Sequence, residues 1–338
     1  MPNPTQSDLH VNQPLTNISV AYIQSEDTYV ADKVFPRVPV QKQSDLYWKY
    51  HKSEWRRQDV QRRAPSTESP GVGWSVTTDQ YFAHVYAVHK DIDDQLRSNA
   101  DSAFNLDRDA TKFITNQMLL KRDQDWVRTY FNSGIWDHER AGTDSSPTGN
   151  QFLHWNEDGS DPISDVTTAV IDLRESTGYA PNQLVIGPRV LHALRHHPDI
   201  LERIKYTQRG IVTEDLLASL FGVSKILVTW ATQVTPEDNN RYQDPNTGDD
   251  EAEYQFLTGN HALLVYSNPS PSLMTPSGGY TFTWNGYLGG NDRGIRIKRF
   301  RQENIASDRV EAEMTYDMKL VSSDVGFFFN NAVDTSEE

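Results

Sequence analysis

A chain of 338 residues is long for one hydrophobic core, which points to a single elaborate domain or to two that share an interface. Its formal charge of -15 repels phosphate and argues against a general electrostatic nucleic-acid binder, and the lack of cysteine excludes disulfides, thiolate nucleophiles and cysteine-ligated zinc. Apolar residues make up only 36% of the chain, yet eight Trp, fifteen Tyr and thirteen Phe supply large units of buriable area, as expected of a flattened or extended subunit that buries surface against neighbours.

Residues 1–45 are rich in Pro, Asn, Gln and Ser. In Val34-Phe35-Pro36-Arg37-Val38-Pro39-Val40 the prolines remove donors and bias their predecessors to extended backbone, so an extended arm is expected, disordered or lying along another subunit. The opening Met1-Pro2-Asn3-Pro4-Thr5-Gln6 has neither a basic region nor an apolar run, and no stretch approaches a membrane span; a soluble chain made in the cytoplasm is expected.

Residues 46–90 read as a long hairpin, Leu46–Tyr50 against Tyr81–Val88. Between the strands, Lys49, Lys52, Arg56, Arg57, Arg62 and Arg63 face only Glu54 and Asp59 over residues 49–63. This is a basic protrusion on an acidic protein, and its reach implies a partner surface, an acidic one on an adjacent copy. Trp48, Trp55 and Trp74 interleave with these cations. The mixture suits either single-strand stacking or a subunit contact, and the acidic remainder of the chain favours the contact.

From Ala103 to Tyr130 there is no Gly or Pro, and Leu106, Ala110, Phe113, Leu120 and Val127 recur at helical spacing, which predicts one helix face and a length of roughly 42 Å. Ala141–Asn150 reads as a loop. An α+β region follows over residues 163–267: helices Asp165–Ser176, Pro188–His196 and Thr213–Phe221, and strands Gln183–Ile186, Lys225–Trp230 and Ala262–Ser267. It is interrupted by an acidic loop, residues 235–253, where seven Asp or Glu face one Arg. Last, Val310, Ala312, Met314, Tyr316, Met318 and Leu320 alternate with polar residues as a half-buried strand does, and Ile295 and Ile297 alternate with Arg296 and Lys298 on the strand before it.

This order of elements resembles the Hong Kong 97 fold of tailed-bacteriophage major capsid proteins. A second likeness lies in Asn17-Ile18-Ser19-Val20-Ala21-Tyr22, Ala31-Asp32-Lys33-Val34-Phe35-Pro36 and Gln43-Ser44-Asp45-Leu46-Tyr47-Trp48-Lys49-Tyr50, which is similar to the opening of many such proteins. The resemblance implies an N-arm at 1–45, an E-loop at 46–90, a peripheral domain at 91–162 and 290–332 with a spine helix at 101–133, and an axial domain at 163–289. It implies self-assembly through pentamers and hexamers into an icosahedral shell around double-stranded DNA, without sequence-specific binding, enzymatic activity, metal or cofactor. Phe35, Trp48, Trp55, Arg56, Arg57, Arg62, Arg63 and Trp74 would be subunit contacts. A separate scaffolding protein, a portal and a decoration protein are the implied partners, assembly would take place in the host cytoplasm, and the product is the virion. Some relatives crosslink a hairpin Lys to a C-terminal Asn; here Lys52 with Asn330 or Asn331 matches that pattern only loosely.

Two other readings stand beside it. An encapsulin-like shell would use the same fold to enclose protein cargo. An oligomeric metal-dependent hydrolase would use His192 and His196, which are spaced to share a helix face, although the catalytic glutamate of that motif is missing and surface histidines before Pro198 are the simpler account. Asp244–Glu251 is rich in oxygen ligands but breaks calcium-loop spacing. Asp91, Asp93 and Asp94 read as helix caps, and Gly278-Gly279 and Gly289-Gly290 as turns.

Overall fold

The computed structural model describes residues 24–50, 52–99, 105–204, 212–234, 254–271, 275–288 and 294–334. The acidic loop 235–253 with Asp244–Glu251, Gly289-Gly290 and Asn17–Tyr22 lie outside these residues.

The expectation of an arm free of its own subunit fails from Tyr29 onward. Val30, Ala31, Val34 and Phe35 are at most 2% exposed, and α1 (Ala31–Val34) is pinned where Asp123 accepts hydrogen bonds from the amides of Val30 at 3.0 Å and Ala31 at 2.7 Å. Apolar side chains this large do not stay in water when a groove on their own chain can take them. Each buried one contributes roughly 1.5–3 kcal/mol. Pro36 stops the helix, and β1 (Arg37–Val40) adds as a parallel edge strand, the position where Pro39 forfeits no ladder bond that matters.

The hairpin pairs β2 (Ser44–Tyr50) with β3 (Val76–Phe82), and α2 (Lys52–Arg56) lies between them. Its returning strand does not run on to Val88. At Ala83 the backbone amide donates to Gln43 O at 2.8 Å, closing the hairpin, and the chain leaves as β4 (His84–Asp93) to join another sheet. After α3 (Asp94–Asn99), the long helix α4 (Leu106–Tyr130) is capped by Asn105, whose side chain accepts from the Arg108 amide. Its buried stripe is Ala110, Ile114, Met118, Arg122, Trp126 and Tyr130, a strict four-residue spacing; Phe113, expected on that face, is 50% exposed.

The chain continues through β5 (His138–Thr143), β6 (Gln151–Leu153), α5 (Pro162–Thr177), β7 (Gln183–Ile186), α6 (Pro188–His196), α7 (Pro198–Ile204), α8 (Glu214–Phe221), β8 (Lys225–Val228), β9 (Thr232–Val234), β10 (Tyr254–Phe256) and β11 (Ala262–Val265). It ends with β12 (Gly279–Trp284), α9 (Asn285–Leu288), β13 (Ile295–Gln302), β14 (Ser307–Leu320) and β15 (Gly326–Asn330).

Two large sheets result. In the first, β1, β12, β14 and β13 lie side by side and β4 pairs with the other edge of β14; α4 covers the face formed by Val310, Ala312, Met314 and Tyr316. The second runs β6-β5-β15-β11-β7-β8. It is covered on both faces, so alternate residues enter different cores: Val185, Leu263 and Phe328 pack towards α4, while Leu184, Leu264, Phe327 and Phe329 pack towards α5, α6 and α8. That is why Phe327-Phe328-Phe329 and Ala262–Val265 read as unbroken apolar runs.

Two sequence expectations change here. Gly279 is not a turn but the first residue of β12, where any Cβ would run into the Phe35 ring and the Lys319 carbonyl. On β14 the polar face is not all solvated: Glu313 is 6% exposed and Thr315 is fully buried, because Tyr287, Arg296, Lys298 and Trp284 bond to them.

Candidate assembly surface

The base of the hairpin is built into the body. On one face of its two strands, Tyr81 stacks on Phe282 with ring centroids 4.6 Å apart, Tyr47 packs on the same ring at 5.4 Å, and Lys49 pairs with Asp79 at 2.8 Å. Strand alternation sends the other face outward. Leu46, Trp48 and Val76 are 60%, 59% and 40% exposed there.

Beyond the strands, α2 turns the chain across the hairpin. The Glu54 carboxylate accepts from the Ser75 amide at 2.5 Å and hydroxyl at 2.7 Å, which ties α2 to the returning segment. Trp55 then packs at a tilt on Trp74 with centroids 5.8 Å apart and meets Tyr50 edge-on at 6.1 Å. Lys52 pairs with Asp324 at 2.7 Å, so its ammonium sits on a carboxylate and not on Asn330 or Asn331.

Arg56 donates to the carbonyls of Glu175 at 3.1 Å and Ser176 at 2.7 Å, at the C-terminus of α5. Free carbonyls and the negative end of the helix dipole make that a natural cation seat. Gly178 caps the helix with φ +79, which favours glycine, and a Cβ there would come within 2.5 Å of the Arg56 guanidinium and displace it from its seat. Arg57 pairs with Asp59 at 2.5 Å, Arg63 donates to the Thr67 carbonyl, and Arg62 has no acid partner among the described residues.

Of the eight residues singled out from sequence, Trp55, Arg56 and Trp74 share one site, Trp48 lies on the adjoining strand face, and Arg57, Arg62 and Arg63 follow along the exposed segment. Phe35 does not belong with them: it is fully buried against Trp126 and Tyr130 within its own subunit.

A second exposed aromatic group was missed. Trp230, Tyr254 and Phe256 are 44%, 61% and 38% exposed, with Trp230 and Phe256 rings 6.4 Å apart, on either side of the acidic segment. The alternation of Tyr254 and Phe256 beside an acidic loop was the available signal. Charged residues beside the sheet edge also act differently from the capping expected of them. Asp93 does cap, accepting from the Gln95 amide, but Asp91 and Asp94 pair with Arg309 at 2.7 Å and Arg301 at 2.5 Å. Burial alone would raise the Glu313 carboxyl, but hydrogen bonds from Lys298, Arg296 and Tyr287 outweigh it and hold the group below its usual range.

Among the described residues, the histidine helix carries no catalytic arrangement. His192 and His196 rings are 4.5 Å apart on the rim of a cleft of about 510 Å³, with no third metal-capable side chain grouped with them among the described residues. His197 resembles a catalytic base, its Nε2 lying 3.1 Å from Ser160 Oγ. Its Nδ1, however, accepts from the Asp199 amide, so Nε2 carries the proton and donates to Ser160, which in turn donates to Glu157 O. A hydroxyl so placed has no base to activate it.

No family model matches the chain. The major capsid protein of Pseudomonas phage JBD67 is 26% identical over 328 residues, 96% of this chain and 97% of that protein. That of Burkholderia phage BcepMu is 26% identical over 239 residues, 70% and 74% of the two chains. Among solved structures, the capsid of cyanophage P-SCSP1u superimposes with a TM-score of 0.64 at 10% identity, covering 97% of this chain and 94% of that one. The SrpI encapsulin of Synechococcus elongatus PCC 7942 gives 0.56 at 10% identity over 96% and 95%.

Proposed function

We infer that this chain, a homologue of the major capsid proteins of tailed phages with their Hong Kong 97-type α+β fold, is a shell-forming subunit that assembles by laying its hairpin on a neighbour. It is a structural protein of the phage capsid. In the detailed reading, pentamers and hexamers build an icosahedral head around double-stranded DNA, residues 163–289 form the axial domain and residues 91–162 with 290–332 the peripheral domain. Trp48, Trp55, Arg56, Arg57, Arg62, Arg63 and Trp74 are the contact set. A separate scaffolding protein, a portal and a decoration protein complete the head, which assembles in the host cytoplasm. The encapsulin reading has the fold in its favour, while the curated relatives are capsid proteins.

One observation carries the contact reading: an aromatic and cationic projection left in water by a chain of net charge -15. Trp and Arg are the side chains that dominate interface energetics once desolvated, and a basic hairpin on an acidic copy is steered to its place. The test is electron microscopy and analytical ultracentrifugation of the wild-type chain and of an Arg57→Glu/Arg62→Glu variant, each with and without its scaffolding partner. Closed shells or capsomer rings are expected from the wild type, and unassembled subunits with an unchanged melting curve from the variant. Normal shells from the variant would reject the contact set, and a wild-type monomer under both conditions would reject the shell.

A further inference from the structure

The structure assigns a divalent transition-metal site to Asp144, His154 and Asp334, where an ion such as Zn²⁺ or Mn²⁺ would staple the C-terminal segment to the turn between β5 and β6. Each of the three offers one ligand atom, and those atoms lie within 4.8 Å of one another; no other such group of three occurs among the described residues. Two carboxylates and one imidazole make a donor set for a borderline ion, whereas calcium and magnesium take oxygen ligands alone.

The histidine supplies the second, independent observation. Its side chain is 9% exposed, its Nδ1 is buried with no hydrogen-bond partner, and its Nε2 is turned towards Asp144 Oδ1 at 3.8 Å, beyond hydrogen-bond reach. Nε2 makes no hydrogen bond among the described residues, so its lone pair is available to an ion held between it and the carboxylates, with the ring proton on the buried Nδ1. A Cβ at Gly142 would lie 2.8 Å and 2.9 Å from the His154 Cδ2 and Nε2, so the glycine leaves room for the ring, which follows β6 directly.

The third ligand is positioned by backbone. The Asp334 amide donates to Asn156 Oδ1 at 3.0 Å, Asn156 Nδ2 donates back to the Asp334 carbonyl at 3.0 Å, and the Trp155 amide donates to Ala332 O at 2.8 Å. The backbone that carries Asp334 is thus placed beside His154, and Asp144, 75% exposed, has room to turn onto an ion. All three ligands come from one chain, so the site does not depend on shell assembly.

The test uses the untagged full chain, stripped with EDTA, then incubated with Zn²⁺, Mn²⁺ or Mg²⁺ alone, desalted and assayed for retained metal and thermal unfolding. The wild type should retain one Zn²⁺ or Mn²⁺ per chain with a raised thermal midpoint, and no Mg²⁺. Asp144→Ala should bind at least ~10-fold more weakly while keeping the metal-free midpoint of the wild type. His154→Asn, which keeps a buried polar side chain, should lose the ion as well. Equal retention by Asp144→Ala and wild type, or equal uptake of Mg²⁺, would overturn the site.

Discussion

Trp126, Trp136 and Trp155 in the body are at most 4% exposed, whereas Trp48, Trp55 and Trp74 on the hairpin are 53–62% exposed. The first group fills two cores that share the six-stranded sheet between them. The second group packs mostly on itself and leaves its outer faces in water. The tryptophans of this chain therefore measure two things, and these three hairpin ones add little to the monomer's core. The hairpin aromatics are held by short-range devices, the Glu54–Ser75 bonds, the tilted Trp55–Trp74 pair and the Arg56 seat on α5, which together give the projection a defined shape on its own subunit.

The comparison is easiest to break with truncations. Trp126→Ala removes a fully buried side chain that touches Phe35 and Phe131, and should cost about 3–5 kcal/mol in a denaturant titration, enough to unfold a marginal domain. Trp55→Ala should cost under about 0.5 kcal/mol in the same titration. Equal losses would mean that the hairpin aromatics belong to the monomer's core.

A smaller effect separates the regions by pH. Burial pushes the Asp123 carboxyl up to about 6, against the hydrogen bonds from Ala31 and Val30 that act to lower it. The folded chain then holds a proton that the unfolded chain has released, so this group's contribution to stability falls as pH climbs from about 4 to about 6, by on the order of 1–3 kcal/mol. Asp123→Asn keeps the acceptor oxygen and removes the titration. Its melting temperature should lose that downward component while the wild type shows it; parallel pH profiles would exclude Asp123 as the source. Because Asp123 fastens α1 to α4, the effect belongs to the body and should leave the hairpin's hydrogen exchange unchanged.

Much of this architecture was legible in the sequence, for physical reasons that differ by element. The absence of Gly and Pro over twenty-odd residues placed α4, and strict alternation placed β14. What alternation could not reveal was that Glu313 and Thr315 on the polar side would be roofed over, since Tyr287 and Trp284 reach them only after folding. Helical spacing put Phe113 inside because Leu106, Ala110 and Phe113 fit one arc, but the stripe is fixed by Ile114, Met118 and Trp126. The hairpin's extent was misjudged because Tyr81–Val88 is continuous in β-propensity, and only the Ala83–Gln43 bond ends one strand and frees the next. The resemblance puts Phe35 among the arm's subunit contacts, whereas its proline-rich neighbours describe only an extended backbone and say nothing of where the ring goes. The cluster of Asp144, His154 and Asp334 comes from three separated segments, and no spacing in the sequence announces it.

An effect nearly as small as that of Trp55→Ala tests the boundary between the two regions directly. Arg56 is a hairpin residue bonded to the last carbonyls of a body helix, so it is the point where the projection is latched to its own subunit. Arg56→Ala should lower global stability by only about 0.3–1 kcal/mol, and less at high salt, because the seat is exposed and screened. Locally it should do more: amide exchange and proteolytic cleavage over residues 57–75 should accelerate, while exchange in α4 and the six-stranded sheet stays as in the wild type. Uniform acceleration across the chain would show that hairpin and body unfold together, and the division drawn from the tryptophans would then describe solvent exposure alone. Confined acceleration would show that the hairpin opens by itself, which is what a segment must do if it is to exchange a seat on its own α5 for one on a neighbour.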